Sequence, residues 1–331
     1  MVKINTIDIS PPLINSSCAW SSDLRQLQEL YDSSYTGAVT TRTATLSGFK
    51  EDASHTVAFS SSTLTSINSY GYSPHPLEAY LSWIDTILTS HSSEVPARKP
   101  FIISITSSDP TTLRLMVQAI QRFRARIDGD GSHSGQSAIA VELNTSCPNI
   151  PNSPPTGYTF SSLVPLLEVL RDEYAHDQTL TIGLKLPPFV YREQFLGVLE
   201  GINTLCISSG DGGTDKCPFA FFTCTNTLGN TLMFPEQASP AGSPEASPFA
   251  VPTALGGLAG ESLHALSLGN VYTFGQLLRE HDRLKGIKII GVGGVTTKEA
   301  ADRMRRAGAD IVGCATVFGK EGARAFEILT N

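Results

Sequence analysis

The stretch IKIIGVGGVTTKEAADRMRRAGADIVGCA, residues 287–315, contains the pattern that decides the fold. Two short apolar runs, Ile287–Val292 and Asp310–Ala315, lie on either side of a longer amphipathic stretch, Thr297–Ala307. Thr296 and Glu299 predict a capping box at the start of that helix. Because both short runs are apolar on both faces, they predict parallel strands that are covered by helices.

The same alternation of short apolar runs and amphipathic stretches continues through the whole chain. The seven predicted strands are Gly37–Thr41, Phe101–Thr106, Ala138–Asn144, Leu180–Leu186, Phe219–Thr225, Ile287–Val292 and Asp310–Ala315, and Leu13–Ser16 is the candidate for an eighth. The predicted helices are Asp23–Tyr31, Pro76–Ser90, Pro110–Ile127, Ser161–Tyr174, Tyr191–Leu199, Ser262–His281, Thr297–Ala307 and Glu321–Leu329. Asp109 before Pro110 predicts a further helix cap.

This order of elements predicts an α/β fold, a (β/α)8 TIM barrel with its active site at the C-terminal ends of the strands. An open dinucleotide-binding sheet is the alternative, but no G-x-G-x-x-G motif follows an early strand. We expect residues 1–331 to form a single domain. Within it, the Pro-, Ser- and Ala-rich stretch Pro235–Pro252 is expected to form a long loop or lid between two strands.

Composition narrows the functional classes. The chain has 40% hydrophobic and 17% charged residues and a net charge of −7, without a block of basic residues. Such a chain is expected to be a soluble protein that binds neither nucleic acid nor a membrane surface. The N-terminus shows no secretion signal, so a cytoplasmic location is expected. The six cysteines form no CxxC pair and no Cys/His cluster, so no metal site is predicted.

Polar residues and glycines collect where the predicted strands end. They are Arg42, Asn144, Lys185, Asn226, Thr227, the pair Gly293-Gly294, and Thr316. A turn or a solvated charge would explain any one of them, but their recurrence at six strand ends predicts a polar ligand at one end of the barrel.

Three features of this end predict chemistry. Lys185, in a buried strand, is either a cation facing an electron-rich ring or oxyanion, or a lysine reaching solvent at the sheet rim. Gly293-Gly294, followed by a helix, resembles the phosphate site of many barrels. Cys147, in a loop over the barrel mouth, is either a nucleophile or general base, or an inert buried thiol.

Several motifs together resemble the flavin-dependent dihydroorotate dehydrogenases, in the soluble class that uses a cysteine base. The most specific are Asn144-Thr145-Ser146-Cys147-Pro148-Asn149 and Gly183-Leu184-Lys185-Leu186-Pro187-Pro188. The others, in chain order, are Leu13–Ser17, Thr41–Leu46, Ser66–Gly71, Asn226–Asn230, Gly256-Gly257 and Ile289–Gly294. The resemblance covers nearly the whole chain.

This resemblance implies FMN as the cofactor and oxidation of (S)-dihydroorotate to orotate in pyrimidine biosynthesis. Cys147 would take the proton from C5 of the substrate, and Lys185 would stabilise the negative charge of reduced FMN. The substrate would be bound by Arg42, Asn68, Asn144, Asn149, Asn226 and Thr227. The cofactor would contact Ser16, Ser17, Arg42, Asn144, Lys185, Gly257, Gly293, Gly294, Ala315 and Thr316.

The segment after the cysteine, Ile150–Tyr158, is similar to that of the homodimeric, fumarate-reducing class. Fumarate and a second copy of the chain are therefore the expected partners, besides dihydroorotate and orotate.

Four features depart from the family pattern. Arg42 stands where the family has lysine, Cys18 and Ala315 replace glycines, and Cys206–Cys217 resembles an insertion. Two alternatives therefore stay open: a flavin oxidoreductase acting on another cyclic amide or an enoate, and a barrel that binds a phosphorylated ligand without redox chemistry.

Overall fold

The structure, a computed structural model, describes residues 1–90, 98–129, 136–147, 149–150, 156–208, 215–239 and 247–331. The strands within these ranges are β1 (Val2–Ile4), β2 (Ile7–Ile9), β3 (Leu13–Asn15), β4 (Val39–Thr40), β5 (Val57–Phe59), β6 (Thr65–Asn68), β7 (Phe101–Ile105), β8 (Ile139–Asn144), β9 (Thr181–Leu186), β10 (Phe221–Cys224), β11 (Leu228–Leu232), β12 (Leu255–Gly260), β13 (Lys288–Val292) and β14 (Ile311–Cys314). The helices are α1 (Leu24–Asp32), α2 (Leu77–Ser90), α3 (Pro110–Asp128), α4 (Val164–His176), α5 (Arg192–Thr204), α6 (Glu261–Arg279), α7 (Lys298–Ala307), α8 (Thr316–Glu321) and α9 (Arg324–Ile328).

Eight parallel strands form a barrel, in the order β3-β14-β13-β10-β9-β8-β7-β4. A parallel bridge between Ile14 and Ala38 joins the first and last strands, so the ring is nearly closed. Helices alternate with these strands, and the predicted (β/α)8 TIM barrel is confirmed. Each predicted strand overlaps one barrel strand, because a strand covered on both faces leaves an unbroken apolar run in the sequence.

Side chains of each strand alternate between two cores. Ile103 and Phe222 belong to the outer core between the strands and the surrounding helices. Their neighbours Ile102 and Phe221 point into the barrel. This alternation fills the barrel with apolar side chains, so the barrel is a packed core and not a pore.

The hairpin of β1 and β2 closes the N-terminal end of the barrel. Ile4, Ile7 and Ile9 are buried and pack with the inner core. Thr6 fixes the hairpin to the rim, because its hydroxyl group donates a hydrogen bond of 2.8 Å to the carbonyl oxygen of Thr179.

A second sheet lies at the C-terminal ends of the barrel strands and was not predicted. It is antiparallel, in the order β11-β12-β6-β5, and β12 pairs with β6 through Gly257 opposite Asn68. A small core of buried residues, which includes Ile67 and Met233, holds this sheet together.

The helix predictions need three corrections. The segment Glu321–Leu329 is not one helix: α8 already begins at Thr316, directly after β14, and Gly322, with a φ of +62°, separates α8 from α9. The helix predicted at Tyr191–Leu199 continues to Thr204. The cap of α7 is Thr297 and not Thr296, since the Thr297 hydroxyl accepts from the Ala300 N–H.

Some predictions fall outside the described residues. They concern residues 240–246 of the Pro-rich loop, residues 209–214 of the insertion, and residues 148 and 151–155 after Cys147. The described parts of the Pro-rich loop lie between β11 and β12, and Ala250 and Val251 are buried there. Among the described residues, no helix is long and apolar enough to cross a membrane.

Candidate active site

A cavity lies between the barrel mouth and the antiparallel sheet. All the predicted site residues except Gly257 line it: Ser16, Ser17, Arg42, Asn68, Asn144, Cys147, Asn149, Lys185, Asn226, Thr227, Gly293, Gly294, Ala315 and Thr316. The strand-end residues therefore meet in one place, although the sequence separates them by up to 300 positions.

Lys185 lies at the floor of this cavity and does not reach bulk solvent. It is 5% exposed and lies on β9, between Asn144 of β8 and Thr223 of β10. Its ammonium group donates hydrogen bonds to the Ser16 hydroxyl (3.3 Å) and to the Ser17 carbonyl oxygen (3.1 Å). These two neutral acceptors hold a buried positive charge against the cavity.

Glu142 is a buried acid near Lys185 that was not selected as a site residue. It lies on β8 and is 2% exposed, and one carboxyl oxygen accepts a 2.6 Å hydrogen bond from the Thr223 hydroxyl. Burial raises the pKa of Glu142, and the charge of Lys185 opposes that rise. Glu142 could have been identified from the sequence in the same way as Lys185, because each is a charged residue in an otherwise apolar strand.

The four asparagines hold one another in place. The Asn226 amide donates to the side-chain oxygen of Asn144 (2.8 Å), and the Asn144 amide donates to the Thr43 hydroxyl (3.0 Å). In the second pair, the Asn149 amide donates to the side-chain oxygen of Asn68 (3.1 Å). Because these contacts fix the orientation of each amide, the cavity has a defined pattern of donors and acceptors.

Cys147 lies in the loop after β8, with its sulfur 3.9 Å from the carbonyl oxygen of Tyr70. Burial raises the pKa of its thiol, while the charges of Lys185 and Arg42 and the backbone N–H of Asn149 act in the opposite direction. Cys147 and Lys185 line the same cavity, so a thiol that can accept or release a proton and a cationic side chain face the same space.

Arg42 carries its positive charge next to an acid that sequence reasoning missed. Its guanidinium group is 2.7 Å from a carboxylate oxygen of Glu51, and its side chain is 7% exposed. The guanidinium group also lies 5.3 Å from the centre of the Tyr70 ring. Nothing in the sequence around Glu51 indicated this pairing, because Glu51 follows β4 in a polar stretch without a motif.

The Gly293-Gly294 pair forms a cradle without side chains. Gly293 has a φ of +127° and Gly294 a φ of +65°, a region that other residues rarely adopt. A Cβ atom at Gly293 would lie 1.9 Å from the Ser267 hydroxyl oxygen, and one at Gly294 would lie 2.5 Å from the Cβ of His264. Thr316, at the start of α8, lies on the same cavity, and its hydroxyl is 3.3 Å from that of Ser66.

Gly257 does not line the cavity, although it was predicted to contact the cofactor. Its carbonyl oxygen accepts a 3.1 Å hydrogen bond from the Asn68 amide, so it holds the Asn68 side chain in place. The end of β12, Ala259 and Gly260, lies on the cavity instead. Gly260 carries a φ of +79°, and its carbonyl oxygen lies against Gly294.

These residues fit a flavin nucleotide. The Gly293-Gly294 turn before α7 suits a phosphate, and the buried Lys185 suits a ring that becomes negatively charged when it is reduced. The thiol and the fixed amides suit a small polar substrate beside that ring.

The comparisons with known proteins agree with this geometry. The family model "Dihydroorotate dehydrogenase" matches residues 1–331. A protein of Streptococcus pneumoniae serotype 4, named "Probable dihydroorotate dehydrogenase A (fumarate)", is 28% identical over 324 residues, covering 96% of this chain and 87% of the relative. A Streptococcus pyogenes serotype M18 protein whose name gives the same enzyme is 28% identical over 323 residues, with the same coverage. The chain therefore belongs to the dihydroorotate dehydrogenase family, whose members are flavin-dependent oxidoreductases.

Proposed function

We propose that this protein oxidises (S)-dihydroorotate to orotate for pyrimidine biosynthesis, with FMN as its flavin and fumarate as the electron acceptor. The observation that carries the proposal is that Cys147, Lys185 and the four asparagines line one cavity. The names of the streptococcal relatives support dihydroorotate as the substrate and fumarate as the electron acceptor.

The phosphate of FMN would lie on the backbone N–H groups of Gly293, Gly294 and Ala315, beside the Thr316 hydroxyl. Its ring would lie against Ser16, Ser17 and Lys185. Bound FMN supplies the acceptor for the hydride that leaves C6 of dihydroorotate. Lys185 stabilises the negative charge that this transfer creates, because a buried cation acts strongly in a site that excludes water.

The other residues position the substrate and move its proton. Asn68, Asn144, Asn149, Asn226 and Thr227 bind the pyrimidine ring, and Arg42 attracts the carboxylate. The Cys147 thiolate takes the proton from C5 while the hydride leaves C6. Because the asparagine amides are already oriented by their mutual hydrogen bonds, little reorganisation is needed when the substrate binds.

The visible spectrum of the purified protein tests this function. We expect a yellow protein that binds FMN, loses its flavin colour when dihydroorotate is added without oxygen, and regains it when fumarate follows. A protein that takes up no FMN would contradict the redox function and favour a barrel that binds a phosphorylated ligand without redox chemistry.

The Arg42–Glu51 ion pair favours a second candidate, a flavin oxidoreductase acting on another cyclic amide or on an enoate. An arginine that is already paired is less available to a substrate carboxylate than an unpaired lysine would be. Anaerobic flavin reduction with a panel of such compounds separates the two candidates. Rapid reduction by micromolar dihydroorotate would eliminate the second one.

The homodimer and the cytoplasmic location remain predictions. Sedimentation of the purified protein tests the former, and fractionation of the source cells tests the latter.

A further inference from the structure

Two cysteines face each other at the end of the barrel opposite the cavity. Cys206 follows α5 and Cys217 precedes β10. Between them, Ile207 and Lys216 form an antiparallel bridge in which each N–H donates to the carbonyl oxygen of the other, both at 2.9 Å. Cys206 and Cys217 are the next residues outward from this bridge, a position in which antiparallel pairs typically have no backbone hydrogen bonds to each other and Cα atoms about 4.5 Å apart. This separation lies within the range of about 4.4–6.8 Å that disulfides require.

The surroundings of the Cys206 and Cys217 side chains agree with this placement. The Cys206 thiol donates to the carbonyl oxygen of Ile202 at 3.7 Å, and the interaction between Cys206 and Cys217 shifts the pKa of both thiols. Both residues are partly buried against the outer core, so the sulfur atoms do not point apart into solvent. The backbone bridge is the geometric observation that places the two cysteines opposite each other, and their mutual effect on the pKa values agrees with it.

The surroundings give the two thiols different reactivity. The interaction with Cys217 and the charge of Arg283 lower the pKa of Cys206, while burial and the charge of Asp215 act against them. Arg283 is held there by its ion pair with Asp215. The interaction with Cys206 and burial raise the pKa of Cys217. Cys206 is thus the first to become a thiolate, and thiolates are the reactive form of cysteine.

We propose that Cys206 and Cys217 form a reversible disulfide when the protein meets a peroxide. The Cys206 thiolate attacks one oxygen of hydrogen peroxide, the O–O bond breaks, and the departing hydroxide takes up a proton to form water. The resulting sulfenic acid is attacked by the Cys217 sulfur, the S–S bond forms, and a second water leaves. The two thiols lose two electrons and two protons, and the peroxide is reduced to two molecules of water.

This modification is independent of the proposed function. Cys217 comes before β10, whereas Thr225, Asn226 and Thr227 of the cavity come after it. The disulfide joins the chain at the start and the end of residues 206–217, the stretch that resembles an insertion. It restricts the unfolded chain, so the oxidised protein is expected to unfold at a higher temperature than the reduced protein.

Peptide mapping tests the proposal directly, because trypsin cleaves after Lys216 and separates the two cysteines. Cys206 is the one cysteine of residues 193–216, whereas residues 217–279 contain Cys217 and Cys224. The protein is treated with hydrogen peroxide, alkylated, and digested without reductant. We expect a linked pair of these two peptides that dithiothreitol separates. Cys224→Ala should retain the link and Cys217→Ser should abolish it.

Two outcomes would overturn the proposal. In the first, both thiols of the wild-type protein remain open to alkylation after peroxide treatment. In the second, the peptide link persists in Cys217→Ser, which would assign it to Cys224. The wild-type digest shows whether the two peptides are linked without any substitution. The proposal can therefore still be tested if one variant fails to fold.

Discussion

Opposing effects act on the pKa of the Cys147 thiol. Burial raises its pKa, and two nearby cations and a backbone N–H lower it, with burial dominating. At neutral pH the thiol therefore keeps its proton in most molecules of the free enzyme. A base must lose its proton before it accepts one from the substrate, so only the thiolate fraction is competent.

The rate of flavin reduction by dihydroorotate should accordingly rise with pH. Between about pH 7 and pH 10 the thiolate fraction increases, and the anaerobic rate should increase with it. Stopped-flow absorbance measures this rate. Cys147→Ala should retain the flavin but reduce it at least about 100-fold more slowly and without this pH dependence. Joint loss of flavin and rate in that variant would indicate a structural role instead.

Glu51 offers a separate test, of the charge available to the substrate. Glu51→Gln removes the carboxylate that pairs with Arg42, which leaves the guanidinium group free for a substrate carboxylate. Since partly exposed ion pairs contribute up to about 1 kcal/mol, the KM for dihydroorotate should fall by up to about fivefold. Glu29→Gln, which breaks the exposed pair with Arg25, should leave the KM unchanged. A higher KM in Glu51→Gln would show that Glu51 positions Arg42 and does not neutralise it.

Residues with an unusual local context could be found from the sequence, and those defined by distant contacts could not. A lysine inside an apolar strand and a cysteine in a polar loop stand out against their neighbours, as Lys185 and Cys147 did. Glu51 gains its place only through its contact with Arg42. No pattern in its own segment carries that information.

Among the elements, the turn between β13 and α7 depends most directly on glycine. Gly293→Ala introduces a Cβ into a contact of 1.9 Å at a φ of +127°, so the turn must shift. The affinity for FMN should fall by at least about tenfold, while the affinity for riboflavin, which lacks the phosphate, should change little. Flavin fluorescence titration measures both affinities. Gly269→Ala in α6, where a Cβ meets no atom, is the matched control. Equal loss of both flavins would place the effect on the ring site or on folding.

The barrel strands were predictable and the covering sheet was not, for one physical reason. Barrel strands are buried on both faces, so their own residues reveal them. Strands β5, β6, β11 and β12 are buried over at most part of their length, and Asn68 pairs with Gly257 across 189 positions. The pairing of these strands depends on which segments the barrel brings next to each other. The sequence therefore could not show that Gly257 supports Asn68, and the family resemblance assigned Gly257 to the cofactor instead.

At the scale of the whole molecule, the two ends of the barrel have separate tasks. The C-terminal end carries the cavity, and the N-terminal end carries the hairpin that closes the inner core. The interior between them is packed with side chains such as Ile102, Phe221 and Ile290. A change at the hairpin should therefore affect stability without reaching the substrate.

Ile7→Ala tests this separation. Ile7 is fully buried in the inner core, and removing three of its carbons leaves a cavity there, so the free energy of unfolding should fall by about 2–5 kcal/mol. Lys3→Ala, an exposed change in the same hairpin, should alter it by less than about 0.5 kcal/mol. Urea unfolding measures both values. Below the unfolding transition, both variants should bind FMN and reduce it with dihydroorotate at the wild-type rate. A slower rate in Ile7→Ala at full folding would show that packing at the closed end is coupled to the site through the barrel interior.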